Sequence, residues 1–108
     1  MQLTPSSALF IGEESLLIQC ANAWRERNHA ITAIVTRAPQ IAGWAAQQGI
    51  RVVAPGPGLV DDLADADFDY LFSIANLSIL PVELVAKAKE KSVNFHDGPL
   101  PEYAGMYS

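Results

Sequence analysis

Cysteine is almost absent from this chain: Cys20 is the one cysteine in 108 residues. A lone cysteine cannot form an internal disulfide, which is typical of proteins from a reducing compartment. The start of the chain also lacks the basic stretch of a secretory signal, so we expect a cytoplasmic location. Cys20 lies at helical spacing from Leu16, Leu17 and Trp24, and this pattern favours a buried helix face over a reactive thiol.

Long apolar runs are lacking as well. Hydrophobic residues make up 50% of the chain and its mean hydropathy is +0.15, which excludes wholesale disorder. The longest apolar runs nevertheless have the length of a β-strand, far below the roughly 18 to 20 residues that a bilayer crossing requires. A chain of this size is long enough for one packed core, so we expect a single soluble domain with no membrane partner.

Basic residues are few and scattered. The chain has 7 Lys and Arg against 12 Asp and Glu, a net charge of -5. Because nucleic-acid affinity depends on clustered Lys and Arg, this composition argues against a nucleic-acid partner. The aspartates within residues 61–69 are interpreted as a solvated surface. His29, which we place in an exposed turn, is far from His96 in the sequence, so no metal site is predicted.

Short apolar runs alternate along the chain with segments of helical periodicity. The predicted strands cover residues 8–11, 30–36, 50–53, 68–74 and 92–95. The first predicted helix has an acidic first turn at residues 13–15 and ends at 28–29. Three further helices are predicted at residues 40–48, 61–65 and 82–90. Pro81 is placed in the first turn of the last helix, and Lys87, Lys89 and Lys91 at its solvated end. Such alternation implies parallel pairing with right-handed crossovers, and therefore a doubly wound α/β sheet.

The first predicted strand ends in Gly12, which invites comparison with dinucleotide-binding folds. Glu13, Glu14 and Ser15 follow it, so the further glycines that let a backbone approach a pyrophosphate are missing. We therefore predict no dinucleotide cofactor.

Two polar side chains of catalytic type, Asn94 and His96, lie two residues apart at the end of the fifth predicted strand. Side chains at i and i+2 of a strand leave the same face, so we expect the amide and the imidazole to point together. In doubly wound sheets, ligands bind outside the carboxyl ends of the strands, which makes this a candidate site. The alternative is structural: Asn94 caps a turn and His96 is a half-buried strand residue satisfied by the backbone.

A stiff loop follows this pair, and together they carry a family resemblance. The loop is formed by Gly98, Pro99, Leu100 and Pro101, with Tyr103 and Gly105 just beyond it. This motif resembles the signature of the folate-dependent formyltransferases, which consists of Asn-x-His, a downstream Leu-Pro, an aromatic residue and a glycine at these offsets. The upstream Ile79-Leu80-Pro81 matches a Leu-Pro that often precedes this strand in the family. The sequence departs from the family pattern at Gly98, Pro99 and Ala104.

The resemblance implies a Rossmann-like parallel sheet with strand order 3-2-1-4-5, in which residues 1–108 form the N-terminal part of a formyltransferase domain without its last strands and C-terminal subdomain. It implies transfer of a formyl group from 10-formyltetrahydrofolate to a primary amine. In that reaction Asn94 polarises the formyl oxygen and His96 acts as acid and base, while Gly98, Pro99, Leu100 and Pro101 contact the folate.

The motif variant resembles most the formyltransferase domains attached to nonribosomal peptide or polyketide synthetases, which implies an amine acceptor bound to a carrier protein. The competing hypothesis is a noncatalytic α/β module that binds folate, a carrier or another partner protein, because the family's further catalytic aspartate lies beyond Ser108. In either case the exposed edge of the fifth strand is expected to favour self-association.

Overall fold

The computed structural model describes residues 5–75 and 80–95. They form a five-stranded parallel sheet in the order β3-β2-β1-β4-β5. The strands are β1 (Ser7–Ile11), β2 (Ala30–Val35), β3 (Val52–Val53), β4 (Tyr70–Ile74) and β5 (Lys91–Phe95), and the helices are α1 (Leu16–Glu26), α2 (Pro39–Gln47), α3 (Leu59–Asp62) and α4 (Val82–Ala86). This architecture confirms the predicted Rossmann-like α/β fold and its strand order.

The sheet separates two apolar clusters, because alternate side chains of a strand point to opposite faces. On one face, Leu9 and Leu71 pack with residues of α3 and α4; we call this the α3/α4 face. On the other, Phe10 and Ile34 pack with residues of α1 and α2; we call this the α1/α2 face. Helices on both faces are what right-handed crossovers produce when strand order reverses.

Two helices end in the left-handed backbone conformation. Asn28 follows α1 with a φ of 68° and Gly49 follows α2 with a φ of 72°. Glycine and asparagine are the residues that adopt this conformation most readily, and it closes the last helical turn. Both predicted helix ends are confirmed.

The fourth helix is shorter than predicted, since it ends at Ala86 instead of residue 90. After it, the backbone N–H of Lys89 donates to the carbonyl of Phe68, and the N–H of Glu90 donates to the carbonyl of Asp69. These hydrogen bonds pair the residues after α4 with the segment before β4, and β5 begins directly after them at Lys91. Lys91 is therefore a strand residue and not part of a helix end. Pro81, predicted in the first turn, is the N-cap residue of α4.

Asp69 corrects the interpretation of residues 61–69 as a solvated acidic surface. Its carboxylate is half-buried and accepts hydrogen bonds from the backbone N–H of Ser7 at 2.9 Å and from the Ser7 hydroxyl at 3.4 Å. The Asp69 N–H in turn donates to the Ser7 carbonyl at 3.0 Å. These contacts align the start of β1 with the start of β4. The other aspartates of this stretch, Asp61, Asp62, Asp65 and Asp67, are exposed as expected.

His29 lies in the predicted turn between α1 and β2, but it is half-buried and bonded. Its Nδ1 accepts a hydrogen bond from the backbone N–H of Ser6 at 2.9 Å. Its ring lies over Trp24, with the ring centres 4.2 Å apart, and the Trp24 Nε1–H donates to the Ala30 carbonyl at 2.6 Å. The expectation of a simple surface residue was wrong, because the ring is bonded to Ser6 and packed against Trp24.

None of the helices in the described part of the chain combines the length and the apolarity that a membrane crossing requires.

Removing the Asp69 carboxylate should weaken the whole domain. We expect Asp69→Ala to lower the free energy of unfolding by about 1.5 to 3 kcal/mol, because a charged acceptor for a backbone N–H is lost. Asp65→Ala is the matched control: Asp65 forms an exposed ion pair with Arg51, so its loss should cost less than about 0.5 kcal/mol. Urea denaturation measures both, and equal effects would contradict the assigned role of Asp69.

Candidate active site at the carboxyl edge of the sheet

The strand order reverses between β1 and β4, which lie side by side at the centre of the sheet. From β1 the chain proceeds to β2 on one side, whereas β4 proceeds to β5 on the other. Loops that leave the carboxyl ends of two such strands diverge and open a crevice between them. The candidate site is therefore the edge at which Gly12 follows β1 and Ala75 follows β4.

Gly12 is required at this edge by the proximity of β4. A Cβ atom built on Gly12 would lie 2.5 Å from the carbonyl oxygen of Ile74, well inside the van der Waals limit. The Gly12 N–H also donates to the Val35 carbonyl at 3.2 Å, which holds the end of β1 against the end of β2. The glycine therefore serves close strand packing, in agreement with the lack of a dinucleotide fingerprint after it.

Ala75 adopts a left-handed conformation with a φ of 50°. This conformation costs a residue with a Cβ roughly 1 to 2 kcal/mol, and such residues cluster at functional sites. The Ala75 N–H donates to the carbonyl of Phe95 at 2.8 Å, which ties the end of β4 to the end of β5. Sequence analysis could not anticipate this feature, because alanine, unlike glycine or asparagine, carries no preference for it.

Glu13 lies at the same edge of the sheet, but it is not in the first turn of α1, where the sequence pattern placed it. Helix α1 begins at Leu16 and has no acid in its first turn, so the expectation of an acidic first turn was wrong. Both carboxylate oxygens of Glu13 instead accept the backbone N–H of Arg37, at 2.9 and 3.1 Å. These hydrogen bonds join the loop after β1 to the loop after β2.

Asn94 is the penultimate residue of β5 and is half-buried. It lies in register with Ser73 of β4, and both side chains belong to the α3/α4 face. Ser73 is 3% exposed, one of two buried polar residues in the described part of the chain. Two positions before Asn94, the Ser92 hydroxyl donates to the Val85 carbonyl of α4 at 3.2 Å. The strand is thus fixed against its helix just before the candidate site.

Ser73 belongs to the candidate site, and sequence analysis missed it. Its hydroxyl becomes a neighbour of Asn94 only through the pairing of β4 with β5, which no local pattern reveals. The other predicted site residues, His96, Gly98, Pro99, Leu100 and Pro101, lie outside the described residues. The predicted meeting of the Asn94 amide with the His96 imidazole therefore stays a prediction.

Metal ligands are not gathered anywhere within residues 5–75 and 80–95: no three His, Cys, Asp or Glu side chains there come close enough to hold an ion.

Part of the chain is similar to known enzymes. No family model matches the chain. It is similar to the methionyl-tRNA formyltransferases of Mycoplasma capricolum subsp. capricolum and Mycoplasma mycoides subsp. mycoides SC, with 35% identity to each over 63 residues. The match covers 56% of this chain but only 20% of each relative. The similarity supports a relationship to the formyltransferases, and the chain spans about a fifth of the length of these curated relatives.

Two glycine-to-alanine substitutions should have opposite effects. We expect Gly12→Ala to lower the free energy of unfolding by about 1 to 3 kcal/mol, because the new methyl group must displace the β4 backbone. Gly43→Ala is the matched control: a Cβ there meets nothing within 4 Å, and alanine is the better helix former by about 1 kcal/mol. Thermal and urea unfolding measure both. Destabilisation by both variants would show that Gly12 is not a packing constraint.

The strain at Ala75 can be tested by relieving it. We expect Ala75→Gly to leave stability unchanged or raise it by up to about 1 kcal/mol, since relief of the left-handed conformation exceeds the entropy that glycine adds to the unfolded chain. Ala46→Gly, at an exposed position of α2, should instead lower stability by about 0.5 to 1 kcal/mol. A similar loss in both variants, measured by urea denaturation, would argue against strain at Ala75.

Proposed function

We propose that residues 1–108 are the N-terminal part of a formyltransferase catalytic domain that transfers a formyl group from 10-formyltetrahydrofolate to a primary amine in the cytoplasm. The observation that carries the proposal is the similarity to methionyl-tRNA formyltransferases in a chain that presents Asn94 at the carboxyl end of β5, beside the point where strand order reverses. The fold supports a site at the carboxyl edge, and the similarity supports formyl transfer as its chemistry.

Asn94 is suited to the formyl oxygen. When the amine nitrogen attacks the formyl carbon, a carbon–nitrogen bond forms and the oxygen gains negative charge. A primary amide held by a strand can donate a hydrogen bond to that oxygen, and one such donor is worth about 10²- to 10³-fold in rate. The register with Ser73 and the anchoring of β5 through Ser92 restrict the movement of the Asn94 backbone, which is what a preorganised donor requires.

His96 completes the proposed chemistry. A neutral imidazole accepts the proton that the attacking nitrogen loses, and then returns a proton to the folate nitrogen as its bond to the formyl carbon breaks. General acid–base help of this kind contributes about 10²- to 10⁴-fold. Gly98, Pro99, Leu100 and Pro101 are proposed to flank the folate, since proline restricts the backbone and glycine permits close approach.

The acceptor is proposed to be an amine bound to a carrier protein, as in assembly-line synthetases. A net charge of -5 makes this chain a poor surface for a transfer RNA, whose affinity depends on clustered basic residues. Self-association through β5, which forms one edge of the described sheet, is proposed as a further property, because an exposed strand edge pairs readily with another chain.

Turnover by the chain, alone and extended past Ser108, and by variants of both forms tests the proposed roles. Consumption of 10-formyltetrahydrofolate and formylation of a small primary amine are measured by absorbance and mass spectrometry. We expect Asn94→Ala and His96→Ala each to reduce the rate by about 100-fold or more. Asn22→Ala, an exposed substitution on α1, is the matched control and should leave the rate unchanged.

Folate binding, followed through tryptophan fluorescence, distinguishes a formyltransferase domain from a noncatalytic α/β module. Binding with turnover that depends on Asn94 and His96 supports the enzyme. Binding without turnover, in the form extended past Ser108 as well as in residues 1–108 alone, overturns the catalytic proposal in favour of a noncatalytic module. An extended form that neither binds nor turns over is not a formyltransferase domain.

A further inference from the structure

An apolar groove lies on the α1/α2 face, between α1 and the strands β4 and β5. It encloses about 230 Å³, and Trp24 of α1 faces Phe72 and Phe95 of the strands across it. It lies on the face opposite to Asn94, because Phe95 immediately follows Asn94 in β5 and neighbouring strand residues point to opposite faces. The groove is therefore separate from the candidate active site.

Aromatic rings form much of the groove wall. The ring centre of Phe72 lies 5.2 Å from those of Phe10 and Trp24, and 6.1 Å from that of Phe95. Phe95 is 44% exposed, one of two large hydrophobic side chains exposed in the described part of the chain. Apolar and aromatic walls with few polar groups are typical of sites that bind small molecules.

Arg27 supplies the one charge among the described residues that line the groove. The other three arginines, Arg25, Arg37 and Arg51, each donate a side-chain hydrogen bond. The guanidinium of Arg27 has neither a hydrogen bond nor an ion pair to any residue within 5–75 and 80–95. A guanidinium without a partner can bind a carboxylate through two parallel hydrogen bonds. The groove thus combines apolar walls with one site for an anion.

The dimensions of the groove indicate a small ligand. A volume of about 230 Å³ is below the roughly 300 to 1,000 Å³ of pockets for drug-sized molecules. A helix with its side chains is about 10 to 12 Å wide, too wide for this space. Phe72 and Ile74 lie two residues apart on β4, which is about 7 Å along a strand and close to the length of two fused six-membered rings. A second copy of the chain is disfavoured, because two chains of net charge -5 repel each other.

We infer that the groove binds a small aromatic carboxylate of one or two rings. The carboxylate pairs with the guanidinium of Arg27, and the rings pack against Phe72 and Phe95. The inference stands on described residues of the α1/α2 face, and it does not require the formyl-transfer proposal to be correct.

The two tryptophans of the chain allow binding to be located. Trp24 lines the groove, whereas Trp44 lies on α2 and does not. In a titration with 2-naphthoate we expect the indole N–H resonance of Trp24 to shift and saturate while that of Trp44 stays in place, with a Kd of about 1 mM or tighter for a ligand of this size. No saturable shift of Trp24, or an equal shift of both resonances, overturns the inference.

The role of Arg27 is tested with a neutral ligand of the same shape. We expect 2-naphthoate to bind about five- to tenfold more tightly than 2-naphthamide, because only the acid forms charge-assisted hydrogen bonds with the guanidinium. Arg27→Gln should abolish this preference and leave the affinity for the amide unchanged. Arg25→Gln is the matched control: Arg25 is exposed on α1, bonds to Gln48 and does not line the groove, so the preference should persist. Equal affinities for acid and amide in the unaltered chain, or a preference that survives Arg27→Gln, contradict the inference.

Filling the groove tests its location independently of charge. Ala23 is exposed on α1 and lines the groove, so we expect Ala23→Leu to weaken binding of both ligands by about tenfold or more, because the larger side chain occupies the ligand's space. Ala46→Leu makes the same change at an exposed position of α2 outside the groove and should leave binding unchanged. Equal affinities in the two variants would place the ligand elsewhere. A Trp24 resonance that moves with protein concentration in the absence of ligand would make a second copy the occupant, and would also overturn the inference.

Discussion

The close approach of β1 to β4 at the carboxyl edge is the constraint on which the geometry of this protein depends. Gly12 lies so near the Ile74 carbonyl that a Cβ atom has no room, and hydrogen bonds extend the alignment outward. Gly12 bonds to Val35 of β2, and Ala75 bonds to Phe95 of β5. These contacts align the carboxyl ends of four strands at one edge of the sheet. Asn94 lies at that edge because β5 is aligned with β4.

The two faces of the sheet are covered to different extents. On the α3/α4 face, Ser92 bonds to α4, and Ser73 lies beside Asn94 within packed surroundings. On the α1/α2 face, the helices leave an aromatic groove open beside β4 and β5. The formyl-transfer chemistry is proposed at the carboxyl edge, on the face where Asn94 lies.

The features that local sequence patterns predicted wrongly have a common physical origin. The apolar alternation identified all five strands, and Asn28 and Gly49 marked the ends of two helices, because these patterns are local. The long fourth helix, the acidic first turn and the solvated roles of Asp69 and His29 were wrong because each depends on a partner more than twenty residues away. Asp69 bonds to Ser7, Glu13 to Arg37 and His29 to Ser6, and no local pattern contains these pairs.

By itself, the sequence determined the fold class and the location of Asn94 near a strand end, since periodicity and the crossover rule suffice for these. The strand order was predicted with the help of the family resemblance. It also carried the motif that motivates formyl transfer. Only the tertiary structure decided that Ser73 lies beside Asn94, that Ala75 is left-handed, and that Phe72, Trp24 and Phe95 form one groove. Those features arise from the register of strands distant in the chain, and register is set by packing of the whole sheet and not by any single segment.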